Sequence, residues 1–165
     1  MANLQRSQGG TKLEERQLTM SSNATAKLMK SAFELLLSPK LKGFDRVLSK
    51  CRFVEGDVGR CVASLVVDEE HTNKGGTLHG GFSALLVDNI STLALTLPDG
   101  QPYSYGVSVN MDISYLKSAK IGEEILIEAN VLKRGRTLAF LEVELRNKAT
   151  NELLVKGSHT KYIGS

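Results

Sequence analysis

Tryptophan is absent from this 165-residue chain, and aromatic residues of all kinds make up 5% of it. That leaves little flat surface on which single-stranded bases could stack. Charge of one sign is scarce as well. The 21 Lys and Arg face 18 Asp and Glu, and a surplus of +3 is too small to predict nucleic-acid binding. Cys51 and Cys61 are the only cysteines. They can form neither a four-ligand zinc site nor the disulfide framework of a small secreted domain. The histidines, His71, His79 and His159, show no metal-type spacing with them. The two cysteines therefore read as reduced structural thiols. No stretch reaches the roughly 18 apolar residues of a bilayer span. Residues 1–24 lack the apolar segment of a secretory signal, and their basic residues Arg6, Lys12 and Arg16 are mixed with Glu14 and Glu15. The expected location is the cytoplasm, with mitochondria as the alternative.

What is present is an ordinary globular balance, 41% hydrophobic and 24% charged. Residues 1–24, rich in Gln, Ser, Thr and Gly, read as a flexible extension, and 25–165 as one domain of normal size. Thr25 to Leu37 has the apolar spacing of an amphipathic helix, stopped by Ser38-Pro39. A hairpin is expected next: Val47 to Val54, a turn at Glu55-Gly56-Asp57, then Gly59 to Val67. Gly80 to Leu97 is nearly continuous apolar sequence, ended by Pro98-Asp99-Gly100. A helix apolar almost all round is buried inside a structure rather than lying on it.

The last third alternates with a period of two. Val107, Val109, Met111, Ile113 and Tyr115 interleave with polar residues, as do Ile125, Ile127, Ala129 and Val131, and then Leu141, Val143 and Leu145. A fourth strand begins at Leu153 and runs to about Ile163. The linkers at Ile121-Gly122, Arg134-Gly135-Arg136 and Ala149-Thr150-Asn151 are short, which predicts antiparallel neighbours in chain order. An antiparallel sheet curled around one apolar helix satisfies both patterns. That is an α+β layer architecture of the hotdog type.

The segment His71-Thr72-Asn73-Lys74-Gly75-Gly76-Thr77-Leu78-His79-Gly80-Gly81, running into Leu86-Val87-Asp88-Asn89, resembles the signature of hotdog-fold acyl-coenzyme A thioesterases of the phenylacetate-degradation type. The likeness extends from about Ala24 to Ser165. It includes Gly106-Val107-Ser108-Val109, Val131-Leu132-Lys133, Thr137-Leu138-Ala139-Phe140 and Asn147-Lys148-Ala149-Thr150, and so is far more specific than a lone His-Gly-Gly.

The residues themselves fit such chemistry. Gly80 and Gly81 open the long helix, where backbone N–H groups and the positive dipole end point outward and can hold an oxyanion. Glycine needed only for tight helix–sheet packing fits the same pattern. Asp88 lies two turns into an apolar helix, where burying a carboxylate is costly without a partner. A structural hydrogen bond would account for it; so would a general base that activates water. The resemblance assigns the catalytic roles, to Asp88, Gly80, Asn73 and Ser108. Asn73 would hold the thioester carbonyl, and Ser108 would orient the water.

The same resemblance implies a coenzyme A-contacting set: Tyr115, Lys117 and Lys120, then Lys133, Arg134, Gly135, Arg136 and Thr137, with His79, Asn110 and Lys161 added as substrate contacts. Coenzyme A is then part of the substrate, and no metal or redox cofactor is needed. Distance adds a constraint. Gly80 and Asp88 are eight residues apart, about 12 Å along a helix, which is too far for both to act on one carbonyl within one chain. If both act, two chains supply them. A homodimer is expected, and the resemblance extends that to a dimer of dimers acting on medium to long fatty acyl chains. Two rival readings stay open: an acyl-thioester dehydratase or hydratase that depends on His79, and a non-catalytic acyl-coenzyme A-binding platform.

Overall fold

The computed structural model describes residues 12–37, 43–96 and 105–164, with side chains from residue 24 onward in the first helix. The stops at Ser38-Pro39 and Pro98-Asp99-Gly100 lie outside the described residues. Helix α1 spans Lys12–Leu36 and α2 Gly80–Ala94. The strands are β1 (Arg52–Asp57), β2 (Arg60–Val66), β3 (Val107–Tyr115), β4 (Glu124–Arg134), β5 (Leu138–Asn147) and β6 (Leu153–Tyr162). They form one antiparallel sheet in the order β1-β2-β4-β5-β6-β3.

The sheet wraps α2, whose Leu86, Val87 and Ile90 are completely buried. Facing them are Ala63 and Leu65 of β2, Ile125 and Ile127 of β4, Val143 and Leu145 of β5, and Leu154 and Val155 of β6. The alternate residues of these strands look outward, where Arg60 pairs with Glu55 and Glu128, Arg146 with Glu144, and Lys156 with Glu142. One dry face and one charged face is what period-two patterning requires of an antiparallel layer. This is the hotdog fold.

Helix and sheet come close at Gly157 on β6. A Cβ there would stand 2.9 Å from Val87 Cγ1, inside contact distance, in a core with no slack. Gly157→Ala is therefore expected to cost about 1–3 kcal/mol by overpacking, read as a lower midpoint in urea denaturation at unchanged slope.

Three features differ from the sequence reading. The first helix begins at Lys12, where a flexible extension was expected to run to residue 24. Lys12-Leu13-Glu14-Glu15-Arg16-Gln17-Leu18 is made wholly of strong helix formers, and propensity outweighs its polar composition. From residue 24 onward α1 lays Met29 and Phe33 on β1, with the Phe33 and Phe53 rings edge to face at 5.7 Å.

The hairpin turn falls at Val58-Gly59 rather than Glu55-Gly56-Asp57, since Asp57 pairs with Arg60. Gly59 takes the positive φ of 76°, and Gly56 stays in the strand, where its missing side chain makes room for the Met29 sulfur. The residues before it differ too, because Phe44–Leu48 form a 3-10 turn.

Chain order fails once in the sheet. β3 pairs with β6, and β4 with β2. Residues 116–123 carry the chain across the end of the sheet, with Ala119 buried and the backbone N–H groups of Leu116 and Lys117 both donating to Leu154 O. β3 is left as an edge strand, exposed at nearly every position.

Candidate active site

The sequence-predicted residues gather in two clefts near opposite ends of α2. The first, about 350 Å³, is lined by Asn73, Gly80, Tyr115 and Lys117 among others. The second, about 200 Å³, is lined by Asp88, Asn89, Thr92 and Lys161 from the site, with Leu36, Leu37, Leu93 and Tyr105 around them. A larger groove of about 550 Å³ lies beside Lys50, Arg52 and Asp68 and contains none of the predicted residues.

The first cleft is built by a tightly bonded loop. Asp68 caps the short turn Glu69–His71, and its backbone N–H donates to His71 Nδ1 at 3.0 Å. The His71 ring is fully buried and stacked 4.7 Å from Phe82. Burial pushes its pKa down, so it remains neutral and can accept that bond. His71 O receives the His79 N–H at 2.9 Å, fixing the start of α2. The Asn73 carbonyl accepts from Gly75 N at 2.8 Å, and its amide nitrogen donates to Thr77 Oγ1 at 3.1 Å. One amide proton is left without a partner among the described residues.

His79 is the N-cap of α2, with Nδ1 accepting from Gly81 N at 2.9 Å. That bond occupies one ring nitrogen in a structural task and weakens the dehydratase reading, which needs this ring as a base. Gly80, the first helical residue, has no hydrogen-bond partner for its N–H among the described residues. The Tyr115 hydroxyl donates to Gly80 O at 3.2 Å, and a Cβ on Gly80 would touch the Tyr115 ring at 3.4 Å. A free N–H at a helix start, with the dipole behind it, can serve as an oxyanion donor.

The second cleft holds a denser network. Asp88 is 36% exposed, not buried as an all-round apolar helix implied, because the edge strand β3 leaves this part of α2 open. Ser108 Oγ lies 3.4 Å from Asp88 Oδ1 and 2.9 Å from His159 Nε2. Ser91 Oγ is 2.8 Å from His159 Nδ1 and donates to Asp88 O. Lys161 Nζ donates to Thr92 Oγ1 at 2.6 Å and sits 3.7 Å from Asp88 Oδ1. His159 is held down to about 4, first by burial and then by the Lys161 charge, with Asp88 opposing. Burial likewise lowers the Lys161 ammonium, against the pull of Asp88.

Lys161, expected as a substrate contact, is 4% exposed and faces Asp88 inside the second cleft rather than the outer surface. His159 is a participant that the sequence reading missed. Both stand on β6 in register with Val155 and Gly157, so the period-two parity that places those residues inward places these inward too. Asn110 is exposed on β3. Lys117 is paired with Glu152 at 2.6 Å, and Lys120 is exposed beside the same loop through the Thr77–Lys120 bridge. Lys133 and Arg134 end β4, and Gly135, Arg136 and Thr137 form the turn into β5. There Arg134 Nη1 reaches to 3.5 Å from Leu95 O, past the far end of α2. One chain thus brings Asn73, Gly80, Tyr115 and Lys117 together, and Asp88 with Ser108, but does not join the two sets.

A sheet-wrapped helix with a free backbone N–H at its start and a carboxylate two turns on points to a class, the hotdog thioester hydrolases. Residues 75–154 match the thioesterase superfamily model. The chain is 52% identical over 127 residues to the human protein named acyl-coenzyme A thioesterase 13, covering 76% of this chain and 89% of that one. The crystal structure of zebra fish thioesterase superfamily member 2 superposes with a TM-score of 0.77 at 50% identity, over 85% of this chain and 99% of that one. A Streptococcus mutans protein bound to acetyl CoA gives 0.63 at 26% identity, over 76% and 94%. The chain belongs to the thioesterase superfamily, and it is a thioester hydrolase.

Proposed function

We propose that this chain hydrolyses acyl-coenzyme A thioesters to a free acid and coenzyme A, and that two copies build each active site. The observation that carries the second half is the geometry of β3. Its Ser108 end lies beside Asp88, and its Tyr115 end contacts Gly80. β3 is an edge strand carrying exposed Val107, Val109 and Met111, a template for pairing with another strand. Antiparallel pairing of two β3 strands about a two-fold axis sets the Ser108 end of one chain beside the Tyr115 end of the other. Asp88 then faces the partner subunit's Gly80, which the 12 Å separation along one helix forbids within a chain.

In that site Asp88 takes a proton from a water held with Ser108, and the water oxygen bonds to the thioester carbon. The carbonyl oxygen becomes an oxyanion on the N–H of Gly80, with the Asn73 amide beside it. Collapse re-forms the carbonyl, breaks the C–S bond and releases coenzyme A as thiolate. No metal or redox cofactor enters these steps. Lys117 and Lys120 from one chain, and the Lys133–Thr137 segment from the other, supply cations for the phosphates of coenzyme A. The named relatives support the substrate class. Medium to long fatty acyl chains, a dimer of dimers, and a cytoplasmic or mitochondrial location complete the proposal.

Steady-state release of free thiol from a panel of acyl-coenzyme A esters tests this reading. Turnover with a chain-length optimum among the fatty acyl esters is expected; binding without thiol release across the panel would leave the non-catalytic platform. Gly80→Pro probes the oxyanion donor specifically. Proline is tolerated at the first helical position and removes an N–H that no helical bond uses, while its Cβ meets the Tyr115 ring at 3.4 Å, an ordinary contact. Loss of about 10²–10³ in kcat is expected, with little change in helical content.

A further inference from the structure

We propose that Lys161 and Ser91 are positioning residues that hold His159 as the neutral imidazole with its proton on Nδ1, and so make Ser108 a hydrogen-bond acceptor toward the attacking water. This rests on Asp88 and Ser108 being the pair that holds that water.

The hydrogen-bond inventory decides the tautomer. Ser91 has one hydroxyl proton and spends it on Asp88 O at 2.9 Å. Its 2.8 Å contact with His159 Nδ1 must then be an N–H donating to Ser91 Oγ. Neutral His159 has no second proton, so Nε2 is a lone pair; of the two acceptors within reach of the Ser108 hydroxyl, Nε2 lies at 2.9 Å and Asp88 Oδ1 at 3.4 Å, and the shorter contact takes the proton. Ser108 can then only accept from the cleft. With Asp88 also accepting, a water between them has both protons engaged and a lone pair free for the carbonyl carbon.

Adding a proton to His159 reverses the arrangement. Nε2–H donates to Ser108 Oγ, and the Ser108 proton turns to Asp88 Oδ1, 3.4 Å away. The water loses one acceptor, and the base is occupied by a donor. What prevents this is the set of groups facing His159. From α2 these are Ser91 and Asp88, the latter 3.8 Å from Nε2; from β3, Ser108 and its ladder partner Met111; from β5, the apolar Leu141. From its own strand the charged neighbour is Lys161, 4% exposed and anchored to Thr92, with Tyr105 lining the same cleft. Burial and the Lys161 charge disfavour imidazolium, and Asp88 alone favours it.

The sign follows. A folded-state value of about 4, below the ordinary 6.5, keeps the neutral form down to mildly acid pH. Lys161→Met removes the repelling cation and leaves Asp88 attracting. The His159 titration is then expected to rise by about one pH unit, or about tenfold in proton affinity. The acid-side half-maximum of kcat/KM is expected to move up with it.

The experiment is nitrogen-15 NMR of the histidine rings in the full-length protein, assigned through single histidine variants. In the wild-type chain at neutral pH, Nδ1 of His159 is expected in the protonated range and Nε2 in the unprotonated range. Ser91→Ala is expected to shift population to the Nε2–H form. A wild-type Nε2–H tautomer overturns the proposal, as does a His159 titration unmoved by Lys161→Met. The wild-type measurement decides even where Lys161→Met does not fold. Because it requires no turnover, its failure is separate from failure of the thioester-hydrolase reading.

Discussion

Asp88→Asn is expected to lower kcat for acyl-coenzyme A hydrolysis by about 10²–10⁴-fold, the range that a positioned general base contributes. Acyl-coenzyme A binding is expected to stay within a few-fold, since the basic segments proposed for coenzyme A lie outside the Asp88 cleft. Asparagine keeps the shape and the contact with Ser108 but cannot take a proton from water. The substitution also changes charge. Lys161 is 4% exposed with Asp88 Oδ1 3.7 Å from its ammonium, so the variant leaves a buried cation without its counter-ion. A lower melting temperature is therefore expected, and kcat must be measured well below it. Single-turnover assays with saturating enzyme separate chemistry from binding. Thiol release at the wild-type rate by a folded Asp88→Asn protein would remove Asp88 from the mechanism.

How much of this was legible beforehand differs between links of the argument. The long helix and the inward alternation of β4 and β5 follow from apolar periodicity, and Gly80 and Asn73 stand at the start of that helix with Asp88 two turns into it. Strand adjacency was not legible. Residues 116–123 are short enough for a hairpin, and only the backbone bonds to Leu154 O and the buried Ala119 show the chain crossing the end of the sheet instead. That crossing matters functionally, because it puts β3 at the edge beside β6 and brings Ser108 to Asp88. Turn placement was ambiguous for a different reason. Gly56 and Gly59 compete, and packing of Met29 against Gly56 decides between them.

Lys161 shows a third kind of gap. Composition treats a lysine on a terminal strand as solvated, while strand parity alone sends it inward. Parity was the better guide, since a buried ammonium is stable only with partners, and Thr92 and Asp88 provide them.

A second large effect is expected as a gain. Each chain has two half-sites, one with Gly80 and Asn73, the other with Asp88 and Ser108. Asp88→Asn and Gly80→Pro proteins should each fall to about 1% of wild type or below, on the ranges for a lost base and a lost oxyanion donor. Co-expressed in equal amounts, they pair at random, and about half of the dimers are mixed. In a mixed dimer one site combines both defects, while the other joins Asp88 from one chain to Gly80 from its partner and is intact. Activity is then expected to return to about a quarter of wild type, half the dimers each with half their sites. Should each site lie within a single chain, no molecule would hold both groups, and the mixture would stay at the level of its parents. Two purification tags isolate the mixed dimer, which is expected to reach about half of wild type. Random pairing within dimers gives the same fractions if two dimers join into a tetramer, so the result reads the site and not the higher assembly. A mixed dimer no more active than either parent would break the link between the β3 edge and catalysis, whatever the chain hydrolyses.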